Sequence, residues 1–369
     1  MKNKYTVAVL GLGVRGKTHL KGILENPDSF EVVGLCDIDT EKMDRIADHF
    51  NLKVPKYTKA EPLLAETNPD VFIFVTYPDL RLSLVELAAK YAVKAISLEK
   101  PMAESLTEAK AMRDCCRENN IKAVVCHQQK YLSQMQEMKA RIDSGEIGDV
   151  VKIHCETQPW LAQLGTHYVD YSIWANNGHK VKWVIGHIHG PETLADTHPS
   201  PDFVLGEMLF ENNVRAYMEC GYLAEQHNPA MYADSDNRIT VYGTNGYVWA
   251  ETDGFWGACT KKTKGELITG KNPGWYNHQE KTIQTPYYTE FAGWLDGGKP
   301  HSCNIDTAYH GYEIMEAMCL SGLNRIRVDL PITNFDYEPV FQQMKGKLPK
   351  CGTEFRSLYD GKEPRQERD

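Results

Sequence analysis

The sequence predicts an α/β domain built on a doubly wound parallel sheet, followed by an α+β domain with a large, open, mostly antiparallel sheet. Three observations predict this. Apolar, β-branched runs alternate with helix-like segments over the first third of the chain. A glycine-rich turn joins the first run to the first helix. Beyond about residue 150, strand-like runs follow one another across short polar turns. At 369 residues the chain is too long for one hydrophobic core of usual size, so two domains are expected, residues 1–126 and 127–369.

Tyr5 to Leu10 reads as the first strand, and a helix-like segment runs from the glycine turn to Glu25. Phe30 to Cys36 is the second strand and Glu41 to Phe50 the second helix. Strands at Val71 to Thr76, Ala95 to Leu98 and Lys122 to Cys126 then alternate with helices at Leu80 to Tyr91 and Leu106 to Asn119. Such alternation indicates parallel strands joined by crossover helices. In the second half, Val150 to Glu156, Lys182 to His189, Phe203 to Phe210, Val214 to Tyr222 and Arg238 to Gly243 read as strands, separated by turns such as Glu211-Asn212-Asn213. Gln134 to Ser144, Tyr288 to Gly297 and Ala308 to Asn324 have helical spacing. The charged tail from Lys362 is expected to be poorly ordered.

Hydrophobic residues make up 42% and charged residues 25% of the chain, as in packed globular proteins. The net charge of -9, without long runs of one sign, offers no basic footprint for nucleic acid. No apolar stretch approaches the roughly 18 residues that cross a bilayer, so a soluble, cytoplasmic protein is expected. The ten cysteines show neither CxxC nor metal-ligand spacing and read as reduced, mostly buried thiols. His187 and His189 share one face of a strand, but no carboxylate or cysteine stands at ligand spacing, and no metal is expected.

Gly11-x-Gly13-x-x-Gly16 lies between a strand and a helix, where its glycines permit a tight turn and close approach to a pyrophosphate at the helix N-terminus. This is the dinucleotide-binding signature of a Rossmann domain. Asp37 follows about 20 residues later at the end of the second strand, where a carboxylate accepts from ribose hydroxyls and repels a 2′-phosphate. Ile38 and Asp39 supply no arginine clamp and Arg45 lies a turn or more away, so NAD is expected rather than NADP. Glu99-Lys100-Pro101 follows the strand at Ala95, which puts it at the carboxyl edge where open α/β sheets bind ligands. Trp160, Trp275 and Tyr276 are candidates for stacking on a sugar ring, although packing is the commoner use of such residues.

Together these segments resemble the Gfo/Idh/MocA family, named for glucose-fructose oxidoreductase and inositol dehydrogenase. The similarity runs in order through GLGVRG, CDID, VFIFVTYP, ISLEKPMAESLTEA, VVCHQQKYL and IDSGEIGDV. Weaker echoes follow in GTHYVDYSIWANNG, VYGTNG, EFAGWLDGGKP and NRIRVDLPI, so that residues 5 to 332 are covered. The resemblance implies NAD contacts from Gly11, Gly13, Val14, Arg15 and Gly16, from Thr76 and Tyr77, and from Glu99 and Lys100, alongside Asp37. It also implies that Lys100 lies by the nicotinamide and the reacting hydroxyl, while His167 takes the hydroxyl proton. Imidazole suits that task because its unperturbed pKa lies near operating pH. Asp170, one helical turn later, orients His167, contacts substrate or caps local structure.

Two positions depart from the family pattern. Gln163 stands four residues before His167 where many sugar and inositol dehydrogenases carry aspartate; it can hydrogen-bond a substrate but cannot act as a base. His127-Gln128-Gln129-Lys130-Tyr131 replaces the asparagine and arginine usual in the interdomain loop, leaving Gln128 and Lys130 as candidate substrate contacts, with His127 either beside them or structural. Trp160, Gln163 and Asp170 complete the candidate substrate residues. The expected function is NAD-dependent oxidation of a secondary hydroxyl on a sugar, glycoside or cyclitol, by a homo-oligomer. The alternatives are a redox-neutral glycoside-modifying enzyme working through a 3-keto intermediate, and a sugar or NAD sensor without catalysis.

Overall fold

A computed structural model of the chain describes residues 4–196, 198–227, 237–274 and 283–349. Trp275, Tyr276, Cys351 and the charged tail from Lys362 lie outside the described residues. The chain divides into two compact units, Met1–Leu132 with Asn277–Tyr312, and Ser133–Tyr276 with Glu313–Asp369. The sequence reading placed one crossing at residues 126–127. The chain instead crosses at 132, returns at 277 and leaves again after 312.

The first unit opens with β1 (Tyr5–Leu10), α1 (Val14–Leu24), β2 (Phe30–Cys36), α2 (Thr40–His49), β3 (Lys56–Tyr57) and α3 (Ala60–Thr67). It continues with β4 (Val71–Phe74), α4 (Arg81–Lys90), β5 (Ala95–Leu98), α5 (Leu106–Glu118) and β6 (Lys122–Val125). All six strands pair in parallel, in the order β3-β2-β1-β4-β5-β6. β4 and β5 are buried along their whole length, which explains their unbroken apolar sequences: helices cover both faces of such a sheet. Side chains set the helix starts, Asp39 accepting from the Lys42 amide at 2.9 Å at α2, and Ser105 from the Glu108 amide at 3.2 Å at α5. The strand order reverses between β1 and β4. That switch point is where doubly wound sheets bind ligands, and it puts the Gly11 turn and Thr76 at one edge.

The second unit contains α6 (Ser133–Asp143), β7 (Val150–Thr157), α7 (Thr166–Ala175), β8 (Val181–His189), β9 (Phe203–Phe210) and β10 (Arg215–Gly221). β11 (Asn237–Gly243), β12 (Gly246–Glu251), β13 (Phe255–Thr260) and β14 (Leu267–Lys271) follow. The rest of the chain forms α8 (Gln284–Leu295), α9 (Ile305–Asn324), β15 (Val328–Asp329) and α10 (Val340–Met344). Nine strands form one sheet in the order β14-β13-β12-β11-β7-β10-β9-β8-β15. β7 and β10 pair in parallel and every other pair is antiparallel, so the sheet is mixed. Ile153 and Cys155 of β7, Met218 of β10 and Ile239 and Val241 of β11 are buried, and α7 lies against these strands with Tyr168 and Tyr171 fully buried.

α8 belongs to the first unit because it packs on α1: Tyr287, Tyr288 and Phe291 join the core of Val7, Leu20, Ile23 and Phe30. No described helix is long and apolar enough to cross a membrane. All nine described cysteines are free, and seven of them are buried.

Candidate cofactor and catalytic residues

β1 ends at Leu10 and α1 starts at Val14, so Gly11, Leu12 and Gly13 make the entire connection. Gly11 has φ +84°, and a Cβ there would stand 2.2 Å from the Val75 carbonyl oxygen. A Cβ on Gly16 would stand 1.8 Å from the Gly11 carbonyl oxygen. These two glycines let the helix start close against the sheet. Gly13 differs, since an added Cβ would meet nothing within 4 Å. It is the N-cap of α1, gives no side-chain cap, and is followed by a first turn without acidic residues. The result is an open helix N-terminus suited to an anion. Val14 is exposed beside it, and Arg15 turns back to Glu99.

Asp37 lies just past β2, with Oδ2 accepting from the Leu12 amide at 2.7 Å and Oδ1 from the Asp39 amide at 3.0 Å. Lys42 reaches back from α2 to the same carboxylate at 3.3 Å. Burial opposes its ionisation, but the Asp39 and Leu12 amides and the Lys42 ammonium outweigh that and hold the carboxyl below its ordinary range. Asp37 is thus ionised and tied to the glycine turn. Lys42, rather than the more distant Arg45, is the cation that meets it.

Thr76 and Tyr77 follow β4. The Thr76 hydroxyl oxygen is buried without a hydrogen-bond partner among the described residues, and Tyr77 is exposed. Arg81, fully buried, donates to the Thr76 carbonyl at 2.6 Å and to the Pro101 carbonyl, and so ties the β4 and β5 edges together. Glu99 is buried at the end of β5. Its Oε1 meets Arg15 Nε and His19 Nε2, each at 3.1 Å. Lys100 is half-buried next to it. Burial pushes the Lys100 ammonium down to about 8; Glu99 opposes that, while Arg15 and Arg81 add to it. The open N-terminus of α1, the ionised Asp37 and the orphaned Thr76 hydroxyl together fit a dinucleotide along this edge.

The segment after β6 is less open than its sequence suggested. Lys130 is buried and donates to the Ser302 carbonyl at 2.8 Å. Gln128 is buried between Cys126 and Arg15, its amide nitrogen 2.9 Å from the Cys126 carbonyl and its oxygen 2.8 Å from Arg15 Nη2 in the orientation that satisfies both. Assigned to substrate from the sequence, both meet protein groups of their own unit here. His127 is buried as well.

In the second unit, Trp160 precedes a π-helical turn over Leu161–Gly165 whose amides at Gln163, Leu164 and Gly165 all donate to the Trp160 carbonyl. This turn feeds α7. Trp160 is half-buried, with its indole nitrogen unpartnered among the described residues, and Gln163 is half-buried. His167 is buried on the first turn of α7, its Nδ1 2.9 Å from the Tyr171 hydroxyl one turn on. Asp170, expected from the sequence to orient His167, contact substrate or cap local structure, is also buried, and Tyr171, at the i, i+4 spacing, is a further residue that meets the His167 ring. His189, discounted as a ligand, has its Nδ1 3.0 Å from the Tyr222 hydroxyl.

His19, Arg81 and Tyr288 also escaped the sequence reading. His19 lies three residues beyond Gly16 on the inner face of α1, a place where periodicity alone suggests only core. Arg81 and Tyr288 carry no local motif, and their importance comes from partners distant in sequence.

The model of an oxidoreductase family with an NAD-binding Rossmann fold matches residues 5–127, and that of the GFO/IDH/MocA C-terminal domain matches residues 135–249. D-apiose dehydrogenase of Rhizobium rhizogenes is 24% identical over 330 residues, 81% of this chain and 90% of that protein. Inositol 2-dehydrogenase of Salmonella paratyphi B is 23% identical over 233 residues, 59% of this chain and 69% of that protein. Among solved structures, levoglucosan dehydrogenase in complex with NADH and levoglucosan superposes with a TM-score of 0.74 at 18% identity, covering 89% of this chain and all of that one, a likeness of fold. With both family models matched in order, and with the parallel sheet and glycine turn of the first unit in place, the chain belongs to the GFO/IDH/MocA oxidoreductase family and carries its NAD-binding Rossmann domain.

Proposed function

We propose that the protein is an NAD-dependent dehydrogenase acting on a secondary hydroxyl of a sugar, glycoside or cyclitol. The observation that carries this reading is the half-buried Lys100 at the carboxyl edge of β5, on the same unit as a glycine turn and an ionised Asp37 fit for a dinucleotide. Relatives named D-apiose dehydrogenase and inositol 2-dehydrogenase support the substrate class. When bound, NAD supplies the hydride acceptor. The hydroxyl must also lose a proton, and that step belongs to the chain's own residues. Lys100 donates a hydrogen bond to the hydroxyl oxygen and holds it in place. His167 takes the proton at Nε2, a role that requires the tautomer with hydrogen on Nδ1, for which the Tyr171 hydroxyl 2.9 Å away is the acceptor at hand. Gln163 and Trp160 are the candidate groups for recognising the rest of the substrate.

The test is a screen of aldoses, glycosides and cyclitols with NAD, read by the appearance of reduced nicotinamide and followed by product analysis. A ketone product with NADH in equal amount is expected. Binding of such compounds without hydride transfer would replace this reading with a sensor. Turnover without net NADH would replace it with redox-neutral chemistry. With the substrate in hand, Lys100→Ala and His167→Ala should each lower turnover by about 10²-fold or more. NAD binding by calorimetry should survive in His167→Ala. An unchanged single-turnover hydride-transfer rate in His167→Ala would remove that residue from the reaction.

A further inference from the structure

Within the first unit, Glu99 is the centre of a buried polar cluster. His19 and Cys126 bring ligand-type atoms within 4.8 Å of its carboxylate and of one another, a grouping that in isolation would suit a divalent cation. The surrounding chemistry argues for another use. Both nitrogens of His19 are engaged, Nε2 with Glu99 at 3.1 Å and Nδ1 with the Tyr288 hydroxyl at 2.6 Å. Burial pushes the Cys126 thiol far above its ordinary value, so it keeps its proton. Arg15 and Lys100 already bring positive charge to the same carboxylate.

The direction of these hydrogen bonds follows from charge. Burial drives His19 below its ordinary value despite the pull of Glu99, so the imidazole is neutral and carries one proton. Glu99 is held well below the carboxylate range, its burial outweighed by Arg15, His19 and Lys100, and so it only accepts. His19 Nε2–H therefore donates to Glu99, and Nδ1 accepts from Tyr288. The Tyr288 hydroxyl also lies 3.4 Å from Ser97 Oγ on β5. On its outer side, Glu99 Oε1 receives Arg15 Nε at 3.1 Å, and Oε2 lies 3.3 Å from the backbone nitrogen of Lys100. The groups that act electrostatically on Lys100 are Glu99, its neighbour at the end of β5, Arg15 of α1, Arg81 of α4 and Cys126 after β6. The two guanidinium groups oppose the charge of the ammonium, and Glu99 is the one full negative charge among these groups.

We propose that Glu99, locked from within the unit by the Tyr288–His19 pair, is a positioning residue that holds Lys100 in its charged, hydrogen-bond-donating form. Its functional meaning rests on Lys100 being the hydroxyl ligand, whereas the control of charge stands apart from that assignment. The experiment titrates Lys100 directly in the full-length protein. Trace acetylation with acetic anhydride across a pH series, followed by peptide mass spectrometry, reads the neutral fraction of this one amine. Wild type should reach half-reactivity near about 8. Glu99→Gln removes the charge, so the neutral fraction grows, and reactivity at pH 7 should rise about fivefold for a fall of about one unit from the wild-type value.

His19→Gln, which keeps an amide donor toward Glu99, should stay close to wild type. His19→Ala, which does not, should raise reactivity about threefold or more, roughly half a unit. Circular dichroism establishes that each variant is folded. Should Glu99→Gln fail to fold, the two His19 variants and Tyr288→Phe decide alone, with His19→Ala raised and His19→Gln restored. Unchanged Lys100 titration in folded Glu99→Gln, or equal titration in His19→Ala and His19→Gln, overturns the proposal. An active Lys100→Ala enzyme would instead overturn the role of Lys100 in the reaction and leave the labelling result standing.

Discussion

Gly11, Gly13 and Gly16 have different tasks, although one motif names them all. Gly11 and Gly16 are required by the fold, because any Cβ there meets backbone at 2.2 or 1.8 Å. Gly13 faces open space, and its backbone, φ -67° and ψ -170°, is one that other residues adopt. Gly13→Val is therefore expected to melt within about 0.5 kcal/mol of wild type while losing NAD affinity by about tenfold or more; calorimetric titration beside a thermal melt separates the two effects. Asp37 is a comparable case of shared duty. Its carboxylate holds the glycine turn through the Leu12 amide, and its charge disfavours a 2′-phosphate. Asp37→Asn keeps an acceptor but not the charge, and leaves Lys42 only the more distant Asp39 carboxylate, at 3.9 Å. The ratio of NADP to NAD affinity should then rise about tenfold or more in the variant, measured by calorimetry with both cofactors, and Lys42→Met added to it should reverse part of that rise. An unaltered ratio in Asp37→Asn would show that discrimination resides elsewhere.

Helices and strands show where the sequence was informative and where it was not. The alternation from β1 to β6 was legible because each run combined a distinct period with a turn or cap, and the five longer strands of this sheet fall where they were read. β3 was not legible, since two residues carry no period, nor was α3, a helix of only eight residues with Pro62 in its first turn. β12, β13 and β14 were missed because glycines and polar residues on the open face blur the alternation; Gly257 and Gly270 have the rings of Trp249 and Trp256 lying over them. For the site, the glycine turn, Asp37 and the Glu99-Lys100 pair carry local signatures, whereas His19, Arg81 and Tyr288 act through partners that a single segment does not display. α8 is the clearest instance: its helical period was readable, but not its place on α1, which depends on Gly22. A Cβ at Gly22 would stand 2.6 Å from Gln284 Cβ and 3.0 Å from its backbone carbonyl carbon. Gly22→Ala should gain about 1 kcal/mol in helix propensity and lose about 1–3 to overpacking, a net destabilisation that denaturant melts would detect. Because α8 also carries Tyr288, the same variant should disturb the His19 hydrogen bond.

Across the whole molecule, 50 acidic residues against 41 basic ones give an excess of negative charge, yet the coupling of the fold to pH lies in shifted, buried groups, buried carboxylates among them. They pull in opposite directions. Asp37 and Glu99 are held below the ordinary range, so the stability they contribute is present above their unfolded values and is lost as pH falls through the folded ones. Glu316 on α9 is the reverse case. Burial, only partly offset by a hydrogen bond with Tyr337, raises it from 4.5 to about 7. The folded state therefore binds the Glu316 proton in a window, from about 4.5 to about 7, where the unfolded chain has released it. Its contribution is fully present below the unfolded value, falls as pH rises through the window, and above about 7 has disappeared, leaving a buried carboxylate that the fold must hold charged. The difference across the window is on the order of 3 kcal/mol. Glu316→Gln replaces the protonated acid with a neutral group of similar shape that cannot ionise. Near pH 4.5 the variant should melt close to wild type, and near pH 8.5 it should melt a few degrees higher, because only the wild type then carries the charge. Differential scanning calorimetry at the two pH values provides the check: an equal shift at both would mean that Glu316 does not titrate in this window, and that the change acts through packing alone.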